Sequence, residues 1–146
     1  MITLREITTE EMLEECLELS VTEEQEEHVD DVSVSLAMAW FHGEAVKPYA
    51  IYNDEVMIGF IMLIVDRKNN ECEIWEFVID KKHQGKGYGK NATKVVIEHI
   101  KKEFSCNNIF LSVFPENKVA IKVYERCGFS FTGESVEDEV VMHLTE

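Results

Sequence analysis

The chain has 146 residues, 45% of them hydrophobic, and a formal net charge of −15 from 14 basic and 29 acidic side chains. This length can bury a core without disulfides or a structural metal, and the composition excludes a disordered or fibrous protein, so we predict one domain over residues 1–146. The acidic balance argues against nucleic acid or an anionic membrane as a partner, since both need a basic surface; it favours cationic partners, or serves only solubility.

The N-terminal part begins as a strand and then becomes helical. Residues 2–7 alternate apolar and polar side chains, as a strand does. Thr8, with Glu11 three positions later, has the signature of a capping box and predicts a helix near 9–19. Residues 21–43 predict a second helix or a bent pair of helices, with apolar residues at helical spacing at Val29, Val32, Leu36 and Trp40.

The pattern changes to strands after Pro48. Residues 49–52 and 56–65, with the turn signal Asn53-Asp54 between them, predict a β-hairpin. The remaining predicted elements are a strand at 72–80, an amphipathic helix from about Gly87 to Phe104, a strand at 108–114, a short helix from about Asn117, and a closing hairpin of residues 131–135 and 139–145. The order β-α-α-β-β-β-α-β-α-β-β predicts a mixed α/β domain with a mostly antiparallel sheet and one strand–helix–strand crossover.

The cysteines and the N-terminus bear on the cellular compartment. Cys16, Cys72, Cys106 and Cys127 form no CxxC pair and no Cys/His pair at zinc-ligand spacing, so we expect reduced, buried thiols and no metal. The N-terminus lacks the apolar run of a signal peptide, and no stretch approaches the roughly 20 apolar residues of a membrane span. We therefore expect a cytoplasmic protein.

Residues 84–91, QGKGYGKN, place three glycines between a predicted strand and a predicted helix. Unpaired N–H groups and the helix dipole make such a turn suited to an anion. A Walker loop, GxxxxGK[ST], is excluded because Gly85 and Gly89 are one residue too close and Lys90 is followed by Asn91. A dinucleotide fingerprint, GxGxxG, is excluded because GKGYG has the wrong spacing and the chain lacks a series of βαβ units. Two interpretations stay open on these residues alone: an ordinary glycine turn, or the QxxGxG pattern of acyl-CoA-binding acetyltransferases, with Gln84, Gly87 and Gly89.

A second motif follows the next predicted strand. It reads Asn117-x-x-Ala120-x-x-x-Tyr124-x-x-x-Gly128-Phe129. Asn117 is a natural N-cap, Ala120 and Tyr124 share one helical face, and Gly128 stands where a C-cap glycine belongs. Taken alone, Tyr124 would be interpreted as a core aromatic residue whose hydroxyl reaches water.

The two motifs and the element order together resemble the GNAT superfamily of N-acetyltransferases over nearly the whole chain. The resemblance implies the GNAT acyl-CoA N-acyltransferase fold, an α/β fold with a central, mostly antiparallel twisted sheet flanked by about four helices. It also implies an enzyme that moves an acetyl group from acetyl-CoA, its co-substrate, to a primary amine. The amine attacks the thioester directly, and no metal is needed.

For acetyl-CoA, the resemblance implies contacts with the glycine stretch and with the strand before it. The glycine stretch would hold the pyrophosphate through backbone N–H groups; its residues are Gln84, Gly85, Lys86, Gly87, Tyr88, Gly89 and Lys90. The strand would pair its backbone with the pantetheine arm through Phe77, Val78 and Ile79. An N–H group at Val78 or Ile79 would polarise the thioester carbonyl.

The resemblance also assigns the other side of the arm and the proton transfers. Asn117 and Ala120 match positions that line the arm, and Tyr124 matches the tyrosine assigned as general acid to the departing thiolate. A primary ammonium, with a pKa of about 10.4, must lose a proton before it attacks. Glu76 stands where many relatives place a carboxylate facing the acceptor, so it is our candidate for the base or for relay through water. Simple alternation would put Ile74 and Glu76 on one face of the strand; an exposed strand glutamate is the alternative interpretation.

The acceptor amine is indicated by similarity to the small bacterial GNAT branch of spermine/spermidine (diamine) acetyltransferases. That pattern consists of the segment 49–60 and, before it, Val21, Gln25, Val29, Ser35 and Leu36. Residues 22–31 are rich in carboxylates, which by default form a solvated face but would also attract a polycation. On the polyamine interpretation, the substrate-binding carboxylates would be Glu76 at the reacting end and, for the distal ammonium groups, Glu23, Glu24 and Glu27.

One departure from that branch is Trp75, which stands where several polyamine enzymes carry a second acid and so leaves Glu76 alone. Other acceptors therefore stay open: an amino acid, a protein N-terminus or lysine, or an aminoglycoside. A non-catalytic acyl-CoA-binding sensor on the same fold is a further alternative, although the intact Asn117 and Tyr124 argue against it. Because relatives are often dimers, the resemblance also suggests a homodimer.

Overall fold

Seven strands form one sheet in the computed structural model, which describes residues 1–27 and 29–145. The strands are β1 (Ile2–Arg5), β2 (Val46–Asn53), β3 (Val56–Asp66), β4 (Glu71–Ile79), β5 (Asn108–Val113), β6 (Ser130–Val136) and β7 (Glu139–Thr145). They lie in the order β1-β2-β3-β4-β5-β7-β6, and every neighbouring pair is antiparallel except β4 and β5. The mixed α/β class and the mostly antiparallel sheet are thus confirmed.

Five α-helices lie in the described part of the chain, against about four expected. They are α1 (Glu10–Leu17), α2 (Glu23–Glu26), α3 (Val32–His42), α4 (Tyr88–Phe104) and α5 (Lys118–Arg126). The predicted helical stretch 21–43 is therefore a bent pair. The cap of α1 lies one residue later than predicted, because the side chain of Thr9, not Thr8, accepts the Met12 N–H at 3.1 Å. None of these helices is long and apolar enough to cross a membrane.

The sheet carries a helical layer on each face. Helices α4 and α5 cover one face, and their core includes the strand residues Ile61, Leu63 and Ile74. Helices α1 and α3 cover the other, over a core that includes Phe60 and Met62. We call these the α4 face and the α3 face. Strand residues alternate between the two faces, and helices cover both, so most positions of β3 are buried. Burying each large apolar side chain contributes about 1.5–3 kcal/mol to the free energy of folding.

Helix α3 buries part of the stripe that the apolar spacing predicts. Val32 is buried and Leu36 packs against the core, but Val29 precedes the helix and Trp40 is 85% exposed. Two steps of four residues from Val32 carry Trp40 about 80° round the helix, whereas Ala39, seven residues from Val32, stays on the same side and is buried.

A β-bulge in β4 decides which way its last residues face. Met62 lies opposite Glu76, but the next residue of β3, Leu63, lies opposite Ile74, so Trp75 is one residue too many for the ladder. An extra residue shifts the alternation that follows it. Since Met62 belongs to the α3 face and Leu63 to the α4 face, Glu76 faces the α3 side and Ile74 the α4 side. The expectation that these two residues share a face was wrong.

The parallel pair β4 and β5 separates part of the way along. Glu71–Ile74 pair with Asn108–Leu111, and the ladder of described residues ends there. The remainder of β4 pairs only with β3 on its other side. The two strands of the crossover thus leave an opening beside residues 75–79, and from the end of that opening a short 3-10 turn, Lys81–His83, leads to the glycine stretch and helix α4.

Candidate functional site

The edge of β4 that borders the opening presents two backbone N–H groups that no described strand pairs with. Asp80 donates its N–H to the Ile58 carbonyl of β3 at 2.8 Å. In an antiparallel ladder, successive residues point alternately toward and away from the partner strand. Val78 therefore directs its N–H toward β3, whereas Phe77 and Ile79 direct theirs into the opening. Of the two N–H groups considered for polarising the thioester, Val78 and Ile79, only that of Ile79 faces the opening.

The glycine stretch leaves open space at the N-terminus of α4, beside Gly85, Gly87 and Gly89, which we call the glycine hollow. Gly85 and Gly87 have φ angles of 79° and 81°, a left-handed conformation that side chains rarely adopt, and Gly87 is the N-cap of the helix. A Cβ atom added at Gly85, Gly87 or Gly89 would meet no described atom within 4 Å. The three glycines thus leave open space beside the N–H groups that begin the helix, as an anion bound to backbone requires. Lys86 is exposed next to this hollow, and Lys90 is half-buried.

Two side chains of the stretch are engaged with the protein itself. Gln84 Nε2 donates to the Ile79 carbonyl and to Gln25 Oε1, both at 2.8 Å. The Tyr88 hydroxyl accepts from Asn53 Nδ2 at 3.1 Å, which ties the start of α4 to the β2–β3 turn. These contacts hold the stretch in place and leave its backbone N–H groups for a ligand.

Helix α5 carries the residues of the second motif. The predicted N-cap is confirmed, since Asn117 Oδ1 accepts the Ala120 N–H at 3.3 Å. The ring of Tyr124 is half-buried in the α4-face core and meets the Phe129 ring edge-on, with centroids 5.8 Å apart. Burial, with a smaller effect from Cys127, raises the pKa of Tyr124 well above its usual range, so its hydroxyl stays protonated at neutral pH.

Cys127 is more exposed than the buried thiol that the sequence predicted, whereas the other three cysteines are buried. Its side chain is half-buried, and burial raises its pKa more than Lys94 and Lys90 lower it. A thiol with a raised pKa is a poor nucleophile at neutral pH because the thiolate is the reactive form.

Glu76 lies on the α3 face and has a pKa close to neutral pH. Burial, followed by the charges of Asp30 and Glu139, raises its pKa to about 7, although the Asp30 backbone N–H opposes that rise. Glu73, also half-buried, has its pKa raised by burial and by Glu139. Desolvation penalises the charged carboxylate, and neighbouring negative charges add to the penalty. A cation entering here would relieve both effects.

The sequence did not single out three of these carboxylates. Asp30, Glu73 and Glu139 come from the loop before α3, from β4 and from β7, and only the sheet order and the bulge bring them near Glu76. Simple alternation puts Glu73 and Glu76 on opposite faces of β4. The bulge at Trp75 puts both on the α3 face, so only a prediction of that bulge would have identified Glu73. Trp75 packs against the same face, and its ring meets that of His42 at 5.8 Å.

The other predicted substrate-binding residues lie elsewhere. Glu23 and Glu24 are exposed on α2, and Glu27 is exposed in the turn that follows. The residue of this acidic segment that reaches Glu76 is Asp30.

Comparison with known proteins agrees with this geometry. Residues 4–129 match the family model described as Acetyltransferase (GNAT) family. A curated relative, the spermine/spermidine N(1)-acetyltransferase of Bacillus subtilis (strain 168), is 35% identical over 124 residues, which cover 81% of this chain and 81% of the relative. The family-model match includes the glycine stretch, Glu76 and Tyr124.

Two solved structures share the fold. A spermidine N-acetyltransferase from Vibrio cholerae, in complex with CoA and spermine, has a TM-score of 0.77 and 23% identity, covering 98% of this chain and 93% of its own. An aminoglycoside acetyltransferase in complex with coenzyme A has a TM-score of 0.78 and 22% identity, covering 100% of this chain and 95% of its own. At these identities the likeness establishes the fold alone. The family model spans most of the chain and both of its motifs, and the protein therefore belongs to the acetyltransferase (GNAT) family.

Proposed function

We propose that this protein transfers an acetyl group from acetyl-CoA to a primary amine of a polyamine such as spermidine or spermine. The observation that carries the proposal is the position of Glu76: a carboxyl with a pKa of about 7 beside the opening where β4 leaves β5. Near neutral pH such a group is partly ionised and can accept a proton efficiently. It lies next to the N–H groups of β4 that face the opening and on the face that also carries Asp30 and Glu73.

The residues around the opening suit acetyl-CoA. The glycine hollow at Gly85, Gly87 and Gly89 has room for a pyrophosphate against backbone N–H groups. Phe77 and Ile79 would donate N–H groups to the pantetheine arm and to the thioester carbonyl oxygen. Asn117 and Ala120 would line the far side from α5. Acetyl-CoA, when bound, supplies the activated acetyl thioester.

Glu76 prepares the amine for attack. At pH 7 an amine with a pKa of about 10.4 is less than one part in about a thousand neutral. Glu76 would take a proton from the ammonium, directly or through one water, while the negative charges of Asp30, Glu73 and Glu139 hold the cationic substrate on this side of β4. The neutral amine then attacks the carbonyl carbon, whose oxygen receives the Ile79 N–H.

Tyr124 would serve the other end of the reaction. Its raised pKa keeps the hydroxyl protonated, and the hydroxyl donates no hydrogen bond to another described residue. A coenzyme thiolate, with a pKa of about 8.5 for the parent thiol, is a fair leaving group, so Tyr124 needs only to assist its departure by donating a proton. The proton that the attacking nitrogen then loses restores the Tyr124 hydroxyl through solvent.

Two considerations favour a polyamine acceptor. The curated relative at 35% identity is named for spermine and spermidine, and Asp30, Glu73 and Glu139 bring negative charge to the acceptor side of the site. The fold by itself does not choose, since a structure of the same fold is an aminoglycoside acetyltransferase.

Thiol release is the decisive assay. Protein and acetyl-CoA would be mixed with spermidine, spermine, putrescine, single amino acids, a lysine peptide and an aminoglycoside, and free coenzyme thiol would be followed. We expect spermidine or spermine to give the highest kcat/KM. Turnover with another amine alone would replace the polyamine by that acceptor. Binding of acetyl-CoA without turnover of any amine would favour the sensor alternative.

Three further expectations remain predictions. A single domain would show one cooperative transition in calorimetry. A homodimer would appear in size-exclusion chromatography with light scattering at about twice the mass of the chain. Cytoplasmic location would be checked by fractionation of the source cells.

A further inference from the structure

Helix α2 is attached to the cofactor side of the site through one side chain. Gln25 Oε1 accepts from Gln84 Nε2 at 2.8 Å, and it also accepts the Thr22 N–H at 3.3 Å, closing the capping box of α2. Gln84 Nε2 in turn donates to the Ile79 carbonyl. A chain of hydrogen bonds therefore runs from the strand residue that would face the thioester, through the first residue of the glycine stretch, to the helix that carries the acidic segment.

Little else fixes α2. None of its four residues is buried, and Gln25 is the one that is half-buried while its neighbours are exposed. The chain is also tied on either side of α2. Before α2, the Ser20 carbonyl accepts the Lys81 N–H at 2.8 Å, just after β4; after α2, the Asp30 N–H approaches Glu76 within β4. Gln25 is thus the middle attachment of a loosely packed segment that borders the acceptor side.

From these contacts we infer that Gln25 is a positioning residue that couples acetyl-CoA binding to amine binding. The inference rests on the proposed function. A pyrophosphate seated on the glycine stretch fixes Gln84, Gln84 fixes Gln25, and Gln25 fixes α2, which leads on to Asp30 beside Glu76. When one ligand is bound, the residues that bind the other are therefore already held in place. Such coupling is reciprocal: if coenzyme A raises the affinity for the amine, the amine raises the affinity for coenzyme A by the same factor.

The test is calorimetric titration with spermidine in the absence and presence of saturating CoA, which cannot react. In the wild-type protein we expect CoA to tighten spermidine binding by about 5–10-fold, a usual size for such coupling. In Gln25→Leu, which keeps the shape but loses the acceptor oxygen, the factor should fall below about 2, while the Kd for CoA alone stays unchanged. In the steady state, KM for spermidine should rise with little change in kcat at saturation.

Three comparisons separate positioning from mere structural support. Gln25→Glu retains an acceptor for both Gln84 and Thr22 and should restore the coupling factor. Glu26→Ala, an exposed neighbour on α2, should shift spermidine affinity equally with and without CoA and keep the factor. Gln25→Ala serves as a second truncation, should Gln25→Leu not fold.

The outcomes distinguish this inference from the proposed function. If the wild-type protein acetylates spermidine but CoA leaves its affinity unchanged, or if Gln25→Leu keeps the full coupling factor, the inference is wrong and the proposed function stands. If the wild-type protein binds CoA but neither binds nor acetylates any polyamine, the proposed function fails and the inference fails with it.

Discussion

Glu76 lies opposite Met62 across β3 and β4, although Ile74, two positions earlier, lies opposite Leu63. The bulge at Trp75 that separates these pairs comes directly after Ile74, the last residue of β4 that pairs with β5. One extra residue thus turns Glu76 onto the α3 face at the place where the parallel strands separate. A single local irregularity brings the candidate base to the opening into which β4 directs the N–H groups of Phe77 and Ile79.

Replacing Glu76 by Gln should remove the base while keeping the shape. Positioned proton transfer contributes about 10²–10⁴-fold to rates, so we expect kcat/KM to fall by about 10²-fold. In the wild-type protein, kcat/KM should rise with pH and level off above a midpoint near the Glu76 pKa of about 7. In Glu76→Gln this midpoint should disappear. Glu71→Gln, at the exposed start of the same strand, is the control and should leave the profile as it is.

The same substitution should also change stability in a pH-dependent way. The folded-state pKa of Glu76 is raised above 4.5, so ionisation opposes folding and wild-type stability falls as pH rises from about 4.5 to about 7. Glu76→Gln should therefore raise Tm at pH 8 by about 2–4 °C, for a gain of about 1 kcal/mol. At pH 4 it should have almost no effect. Equal shifts at both pH values would show that Glu76 is not desolvated.

Tyr124→Phe should slow the chemical step without disturbing binding. The ring keeps its contact with Phe129, while the proton donated to the thiolate is lost, so we expect kcat to fall by about 10-fold or more with KM nearly unchanged. Steady-state kinetics at saturating amine measures this. Tyr52→Phe, at a buried tyrosine on the α3 face, is the matched control. An unchanged kcat in Tyr124→Phe would leave that tyrosine a core residue only.

Gly89→Ala should weaken acetyl-CoA binding while leaving the fold intact. The added methyl group meets no described atom within 4 Å, but it would project into the hollow that backbone and phosphate must share. We expect an increase in Kd of about 10-fold, equal to ~1.4 kcal/mol, and an unchanged Tm. Calorimetry measures the affinity, and Glu98→Ala, on an exposed position of α4, is the control. An unaltered Kd would argue against the glycine hollow as the phosphate site.

Unlike Gly89→Ala, which should leave Tm unchanged, Gly59→Ala should destabilise the protein. A Cβ at Gly59 would collide with the Val78 carbonyl oxygen, so β3 and β4 would have to move apart. Forcing an extra methyl group into packed structure costs about 1–3 kcal/mol, which lowers Tm by about 2–12 °C. Activity should fall as well because Ile79, opposite Gly59, would shift. Gly89→Ala is the matched control, and an undiminished Tm in Gly59→Ala would refute the collision.

The order of elements and the cofactor side of the site were accessible from local signals. Glycines at 85, 87 and 89 indicate a backbone without side chains, and this can be read from the sequence without knowing what surrounds it. The cap at Asn117 and the helical spacing of Ala120 and Tyr124 depend on hydrogen bonds within a few residues. Such features are encoded over one turn of chain, so a single sequence is enough to predict them.

By itself, therefore, the sequence determined the family, the order of strands and helices, and the loop suited to a phosphate. Only the tertiary structure decided which way Glu76 faces and which carboxylates surround it. A bulge depends on how β3 pairs with β4, and the approach of Asp30, Glu73 and Glu139 depends on sheet order and helix docking. Interactions between residues far apart in sequence leave no periodicity, so the desolvation and charge that raise the pKa of Glu76 arise only in the folded chain.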